Sequence, residues 1–286
     1  MKVVFAFLST AITACLSVAV WIGALTAALF FPSVLTAGCI LSFIAAACFV
    51  LSVMASFHLY ENTMQLCMVD FERWFEKAQR IAKHCVGNTK TMVLLDMAQR
   101  LCWLEETAYA RDVLHQAKRA VVKSGKPYYQ FLYLMQVLSM KRIDRDFSGI
   151  HELFATAYAC LSARDFGGKR LRKSCTEAFE YARSKMLLYT VGTGALTEEK
   201  KRLVTDLQSR AKDHARCELE DFGENDPVLL ADCYCIALTH LMLGHGKMAE
   251  QYFRYILSGT VSIPLQRRVR QYLFDGDAAD LLYVLP

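Results

Sequence analysis

Residues 230–257 read LADCYCIALTHLMLGHGKMAEQYFRYIL. They hold two cysteines, two histidines and the run Gly244-His245-Gly246-Lys247, which invite a reading as a reactive or metal-binding site. The same residues place apolar and small side chains three and four apart, the period of a helix face. Cys233, Ile236, Ala237 and His240 share one face of a first helix, and Gly244-His245-Gly246 supplies a turn. Ala249, Phe253 and Ile256 line the facing side of a second helix. Small residues let two helices approach, and larger ones fill the groove between hairpins. Cys235 points away from Cys233 and His240, so the four side chains do not converge as zinc ligands must. The stretch reads as a helical hairpin, and its thiols as buried apolar groups.

Working outward, turn and cap signals divide the chain from Glu61 onward into about ten helices joined by short connections. Gly87-Asn88, Ser124-Gly125-Lys126-Pro127, Gly167-Gly168, Gly192-Thr193-Gly194, residues 223–227 and residues 259–264 are the breaks. Asp226-Pro227 is a capping residue followed by proline at the first helical position. No useful alternation of β-branched residues competes, so the predicted class is all-α. A second hairpin of the opening kind lies at Thr91–Val122: Leu94, Met97, Ala98 and Leu101, a turn at Glu105-Glu106, then Ala110, Leu114 and Ala117. From Ala98 to Ala110, and from Ala237 to Ala249, the alanine spacing is the same. Tyr128–Met140 with Phe147–Leu161, and Lys169–Thr190 with Leu196–Phe222, fill the interval as two further hairpins.

This pattern resembles the tetratricopeptide repeat, a helix-turn-helix of about 34 residues. The match rests on the small, alanine and aromatic positions Ala237, Ala249 and Phe253. The family's tryptophan and glycine in the first helix are replaced by Cys233 and Ala237, and the middle hairpins have longer helices than the family uses. The resemblance implies a solenoid over residues 91–286 whose repeats are held by Leu94, Ala98, Ala110, Leu114, Ala117, Ala237, Ala249 and Phe253. It also implies a concave face that binds a peptide or a protein, and hence an interaction module and not an enzyme.

The N-terminal end differs in composition. Mean hydropathy of the whole chain is +0.22, and from Val3 to Tyr60 there is no Asp, Glu, Lys or Arg. As helix that run would be about 87 Å long at roughly 1.5 Å per residue, whereas one membrane crossing takes about 30 Å. Pro32 is the only proline before Pro127 and sits where two spans would need a break. The reading is a two-helix transmembrane hairpin over residues 1–60, with small-residue pairs Gly23/Ala27 and Ala24/Ala28 allowing close contact within it or between copies. The length of the run also argues against a cleaved leader. Ile12-Thr13-Ala14-Cys15 matches a lipoprotein box, but the chain stays apolar for another forty positions or so after it. Arg73, Lys77, Arg80 and Lys83 follow the second span, so both termini are expected in the cytoplasm, at a bacterial inner membrane. Residues 61–90, with Phe71, Trp74, Phe75, Ala78, Ile81 and Ala82 on one stripe, form an amphipathic connecting helix.

Other signals are weaker. Eleven scattered cysteines without a CxxC do not form a disulfide framework. Gly244–Lys247 lacks the frame of a phosphate loop, and Asp165-Phe166-Gly167 and Asp221-Phe222-Gly223 lack the rest of a kinase. No catalytic set, metal site or cofactor is indicated, and a net charge of +5 with acids interleaved gives no footprint for nucleic acid. The run Lys169, Arg170, Arg172, Lys173 would suit anionic lipid. The expectation is a membrane-anchored scaffold that recruits a protein partner. The alternatives are a lipoprotein-type solenoid facing the opposite compartment, and an enzyme or small-ligand protein with a pocket inside the solenoid.

Overall fold

The computed structural model describes residues 70–191, 197–222, 226–259 and 264–276, with scattered residues between 19 and 68 and Leu281. The described chain is all-α, without a strand. It forms two compact units, Met1–Cys85 and Val86–Pro286.

In the first unit a 3₁₀ turn at Leu66–Met68 precedes α1 (Phe71–His84). Asp70 separates the two, because its carboxylate accepts the Arg73 backbone N–H at 3.1 Å and so starts a new helix. Trp74, Ala78, Ile81 and Ala82 form the buried stripe of α1. The polar face carries the exposed pair Glu76–Arg80. The two-span hairpin expected over residues 1–60 falls almost entirely outside the described residues. Among the described residues no helix is long and apolar enough to cross a membrane, and this overturns the expected integral placement with cytoplasmic termini. The longest described helices show why: they have the length of a span but are dense in charge, from Glu198-Glu199-Lys200-Lys201-Arg202 in one to Lys169-Arg170 and Arg172-Lys173 in the other.

The second unit is a succession of antiparallel neighbours: α2 (Gly87–Trp103), α3 (Thr107–Ser124), α4 (Pro127–Ile143), α5 (Ile150–Ser162), α6 (Lys169–Val191), α7 (Glu198–Phe222), α8 (Pro227–Met242), α9 (Gly246–Ser258) and α10 (Pro264–Asp275). Each helix packs on the next, and α2 also packs on α4. Local chemistry sets the ends. Gly125 closes α3 at φ 64° and Pro127 opens α4. Asp226 accepts the Val228 N–H at 2.7 Å and Pro227 opens α8.

Three hairpins, α2–α3, α4–α5 and α8–α9, turn in the same way. At the close of α2, Glu105 is left-handed (φ 58°) and donates its N–H to the Cys102 carbonyl, while Glu106 reaches back to Leu101. Arg145 (φ 56°) and Asp146 repeat this on Arg142 and Lys141, and Gly244 (φ 79°) and His245 repeat it on Leu241 and His240. Each is a Schellman closure, which satisfies carbonyls the helix end would leave open. The repeat is thus carried by backbone geometry even where residue types diverge.

Ala98, Ala110, Ala117, Ala237, Ala249 and Phe253 are fully buried, and Leu94 and Leu114 nearly so. The middle hairpin is held by Phe131, Leu134, Ala157, Cys160, Leu161, Phe166, Cys175 and Phe179. Helix α8 departs from an amphipathic repeat helix. From Leu229 to His240 every residue except Ala231 is buried. A helix apolar on all sides belongs inside, and α8 lies between α7 and α9. The Tyr234 hydroxyl donates to the Leu281 carbonyl at 3.2 Å. An ion pair joins Arg268 of α10 to Glu105 in the α2–α3 turn. It brings the last described helix to the first hairpin of the unit, a contact that an open solenoid of nearest neighbours would not make.

Candidate functional site

Four alternate helices, α2, α4, α6 and α8, line one cavity of about 310 Å³, with His214 added from α7. Its apolar wall includes Trp103, Phe131, Leu132, Met135 and Val228. Its polar lining includes Gln99, Gln136, Arg142, Tyr181, Lys185, His214 and Asp232.

The centre of the polar lining is Asp232, whose carboxylate is 1% exposed. A buried carboxylate is costly unless its lone pairs are used. Tyr181 Oη donates to Asp232 Oδ1 at 2.7 Å, and His214 Nδ1 donates to Oδ2 at 2.5 Å. The Tyr181 and His214 rings lie 5.2 Å apart, tilted by 33°. On the far side of the imidazole, Nε2 is 3.8 Å from Glu218 Oε1. Lys185 Nζ sits 4.0 Å from the centroid of the Tyr181 ring. Arg142, half-buried in α4, has no carboxylate within ion-pair distance among the described residues.

These contacts set the protonation states. Burial pushes the Tyr181 phenol well above its usual range, and the nearby Cys235 and Asp232 add to it, so the phenol remains a neutral donor. Burial pushes His214 down, but its hydrogen bond to Asp232 and the charges of Asp232 and Glu218 outweigh this and leave it raised. Burial holds Lys185 below the usual lysine range against the attraction of Asp232. Burial lifts the Cys102 and Cys233 thiols to about 12 and that of Cys235 to about 11, so none is a thiolate at neutral pH. Both imidazole nitrogens of His214 face carboxylates, and the thiols are inert. The cluster can hold, orient and neutralise a ligand more readily than it can attack one.

None of the eight expected repeat-core residues lines this cavity. Leu94 and Ala98 lie in α2, Ala110, Leu114 and Ala117 in α3, Ala237 in α8, and Ala249 and Phe253 in α9. Of the basic run, Lys169, Arg170 and Lys173 are exposed, while the Arg172 guanidinium turns inward to the Ala163 carbonyl at 2.9 Å. Lys173 faces Glu177 at 3.8 Å. Cys233 and Cys235 are buried in α8, and the His240 ring stacks on Tyr252 with centroids 5.8 Å apart. Arg142, Tyr181, Lys185, His214 and Asp232 were not singled out by sequence pattern. One signal was available: Asp232 is a lone carboxylate within an otherwise apolar helix, which is a mark of a buried, partnered charge.

A larger hollow of about 590 Å³ lies between α5 and α6, walled by Phe147, Phe154, Tyr158 and Phe179. Its charged lining residues, Glu180 and Arg183, face one another at 3.8 Å. A few convergent polar groups against an apolar wall are what fix a ligand, and the smaller cavity has them. No protein-family model, curated protein or solved structure matches the chain.

Proposed function

We propose that this protein is a tetratricopeptide-like binding module that takes up a segment of a partner protein in the groove formed by its alternate helices. One observation carries the reading: α2, α4, α6 and α8, every second helix of the unit, line the same cavity. Stacked helical hairpins produce such a shared inner face by construction, and it is the surface that repeat proteins offer to partners. The three equivalent helix turns support a repeat origin for the hairpins. Binding is favoured over catalysis because His214 is committed to Asp232 and Glu218 and the neighbouring thiols are held protonated.

The test is recovery of partners with the whole protein, its Arg142→Glu variant and an Arg119→Glu variant on the exposed face of α3. A partner retained by wild type and by Arg119→Glu, but lost with Arg142→Glu of unchanged helicity, is the expected result. Equal recovery with all three removes the groove as the recruiting surface.

A further inference from the structure

The run Gly244-His245-Gly246-Lys247 lacks the frame of a phosphate loop, yet the turn it forms between α8 and α9 gathers polar groups without partners. His240, in the last turn of α8, is 6% exposed, and neither of its ring nitrogens has a hydrogen-bond partner. Its ring packs against those of His245 and Tyr252, with centroids 5.7 and 5.8 Å away, which sets it beside the first two turns of α9. Burial, the charge of Lys212 in α7 and that of His245 all disfavour the imidazolium, so the surroundings of the ring are positive. A buried polar group without a partner calls for a water or an ion, and positive surroundings select an anion over a metal.

The start of α9 points the same way. The N–H groups of Gly246 and Lys247, its first two residues, have no acceptor among the described residues. His245 supplies no side-chain cap, and no acid occupies the first turn. Free N–H groups at a helix start attract anions. Gly246 is not left-handed and a Cβ there would meet nothing within 4 Å, so neither strain nor crowding asks for glycine. Its bare Cα leaves the approach to those N–H groups open. Among the described residues no carboxylate lies within ion-pair distance of His240, His245 or Lys247, and Glu250, the first acid of α9, is paired with Arg254 at 2.6 Å. The His245 ring is exposed and has no hydrogen-bond partner among the described residues, so it is free to change rotamer and open the way to His240.

We propose that the α8–α9 turn is a binding site for a phosphate group, held by the N–H groups of Gly246 and Lys247 and by the imidazoles of His240 and His245. A phosphate has the several acceptor oxygens that donors from a helix start and two rings require, where a carboxylate has two. The site is independent of the groove, since none of these residues lines that cavity.

The probes are inorganic phosphate and glycerol 3-phosphate, with acetate and chloride at matched ionic strength as controls. Titration calorimetry on the full chain at neutral pH should give saturable one-to-one binding of at least one phosphate probe at millimolar concentration or below. Acetate and chloride should bind at least tenfold more weakly. Nitrogen-15 spectra of the unmodified protein provide a readout that does not depend on a variant folding. The amides of Gly246 and Lys247 and the ring nitrogens of His240 should shift together on titration, and the exposed His151 of α5 should not. Gly246→Asp puts a carboxylate where a helix start favours one, so it should weaken phosphate binding about tenfold or more without lowering the melting temperature. His240→Phe should weaken it by a similar factor. A preference between the two probes tells whether the site takes free phosphate or a phosphate ester. The proposal is overturned if neither phosphate binds, if acetate binds as well, if His240 stays unmoved, or if Gly246→Asp binds phosphate as the natural chain does.

Discussion

Replacing Asp232 tests the interior of the molecule most sharply. The carboxylate is 1% exposed and accepts hydrogen bonds from Tyr181 and His214. Asp232→Ala leaves a buried phenol and an imidazole N–H without an acceptor, each costing about 1–3 kcal/mol. Together with the space left behind, the loss should be about 3–5 kcal/mol, the range for removing one partner of a buried charged set. That is a large part of the roughly 5–15 kcal/mol that holds a domain together. Asp232→Asn keeps the shape: its amide oxygen can accept from Tyr181, and its NH₂ can donate to the other tautomer of His214. Its cost should be about 1–2 kcal/mol at neutral pH, since the hydrogen bonds lose their charge. The pH dependence follows from His214, whose folded-state pKa is raised by Asp232 and Glu218 above that of the unfolded chain. Its contribution is fully present below the unfolded value of about 6.5 and is lost as pH rises through the higher folded value. The advantage of wild type over Asp232→Asn should therefore shrink as pH rises across that window. Urea unfolding followed by far-UV circular dichroism measures both. A cost under about 1 kcal/mol for Asp232→Ala, or a wild-type advantage independent of pH, would refute the account of this cluster.

Three further outcomes follow from the same physics. Gly244→Ala meets no neighbouring atom but must hold φ 79°, so it should cost about 1–2 kcal/mol through backbone strain alone, read as a lowered urea midpoint with an unchanged slope. Ala110→Leu, at a fully buried site between α2 and α3, should cost about 1–3 kcal/mol by overfilling, and Ala117→Ser on the same face should cost less. His240 is 6% exposed, its two ring nitrogens have no hydrogen-bond partner, and burial with the charge of Lys212 lowers its pKa. A depressed histidine makes the fold lose stability as pH falls below about 6.5. His240→Phe should abolish that share of acid sensitivity and raise stability by about 1 kcal/mol at neutral pH; a melting temperature that still falls as steeply in acid would count against it.

Much of the second unit was legible because it is written locally. Asp226-Pro227 and Ser124-Gly125-Lys126-Pro127 are capping chemistry, and they mark helix ends in the structure as they do in the sequence. The alanines at 98, 110, 237 and 249 are buried for the reason their spacing suggested: only a small side chain fits where hairpin partners meet. The turn at Glu105-Glu106 and the break between Met140 and Phe147 were placed by the sequence, but not their left-handed closure at Glu105 and Arg145, since the helix end holds that backbone without glycine. The cavity was not legible at all. Tyr181, His214 and Asp232 lie on three helices, and only tertiary packing brings them together. The tie from Arg268 to Glu105 is likewise invisible to any local pattern. The charge-free run from Val3 to Tyr60 led to an expectation of membrane spans that no described helix carries. A count of uncharged residues says how much a segment could bury, and not against what.

The most direct measurement is site-specific photo-crosslinking from both faces of the second unit. Gln99, Ser139 and Ser174 line the groove from α2, α4 and α6, whereas Gln116 and Gln251 lie exposed on α3 and α9. A photoreactive residue placed at each in turn reports what touches it. If the alternate helices form the binding face, all three groove positions capture the same partner and the two outer positions do not. Capture from Gln116 and Gln251 with none from the groove would contradict that claim.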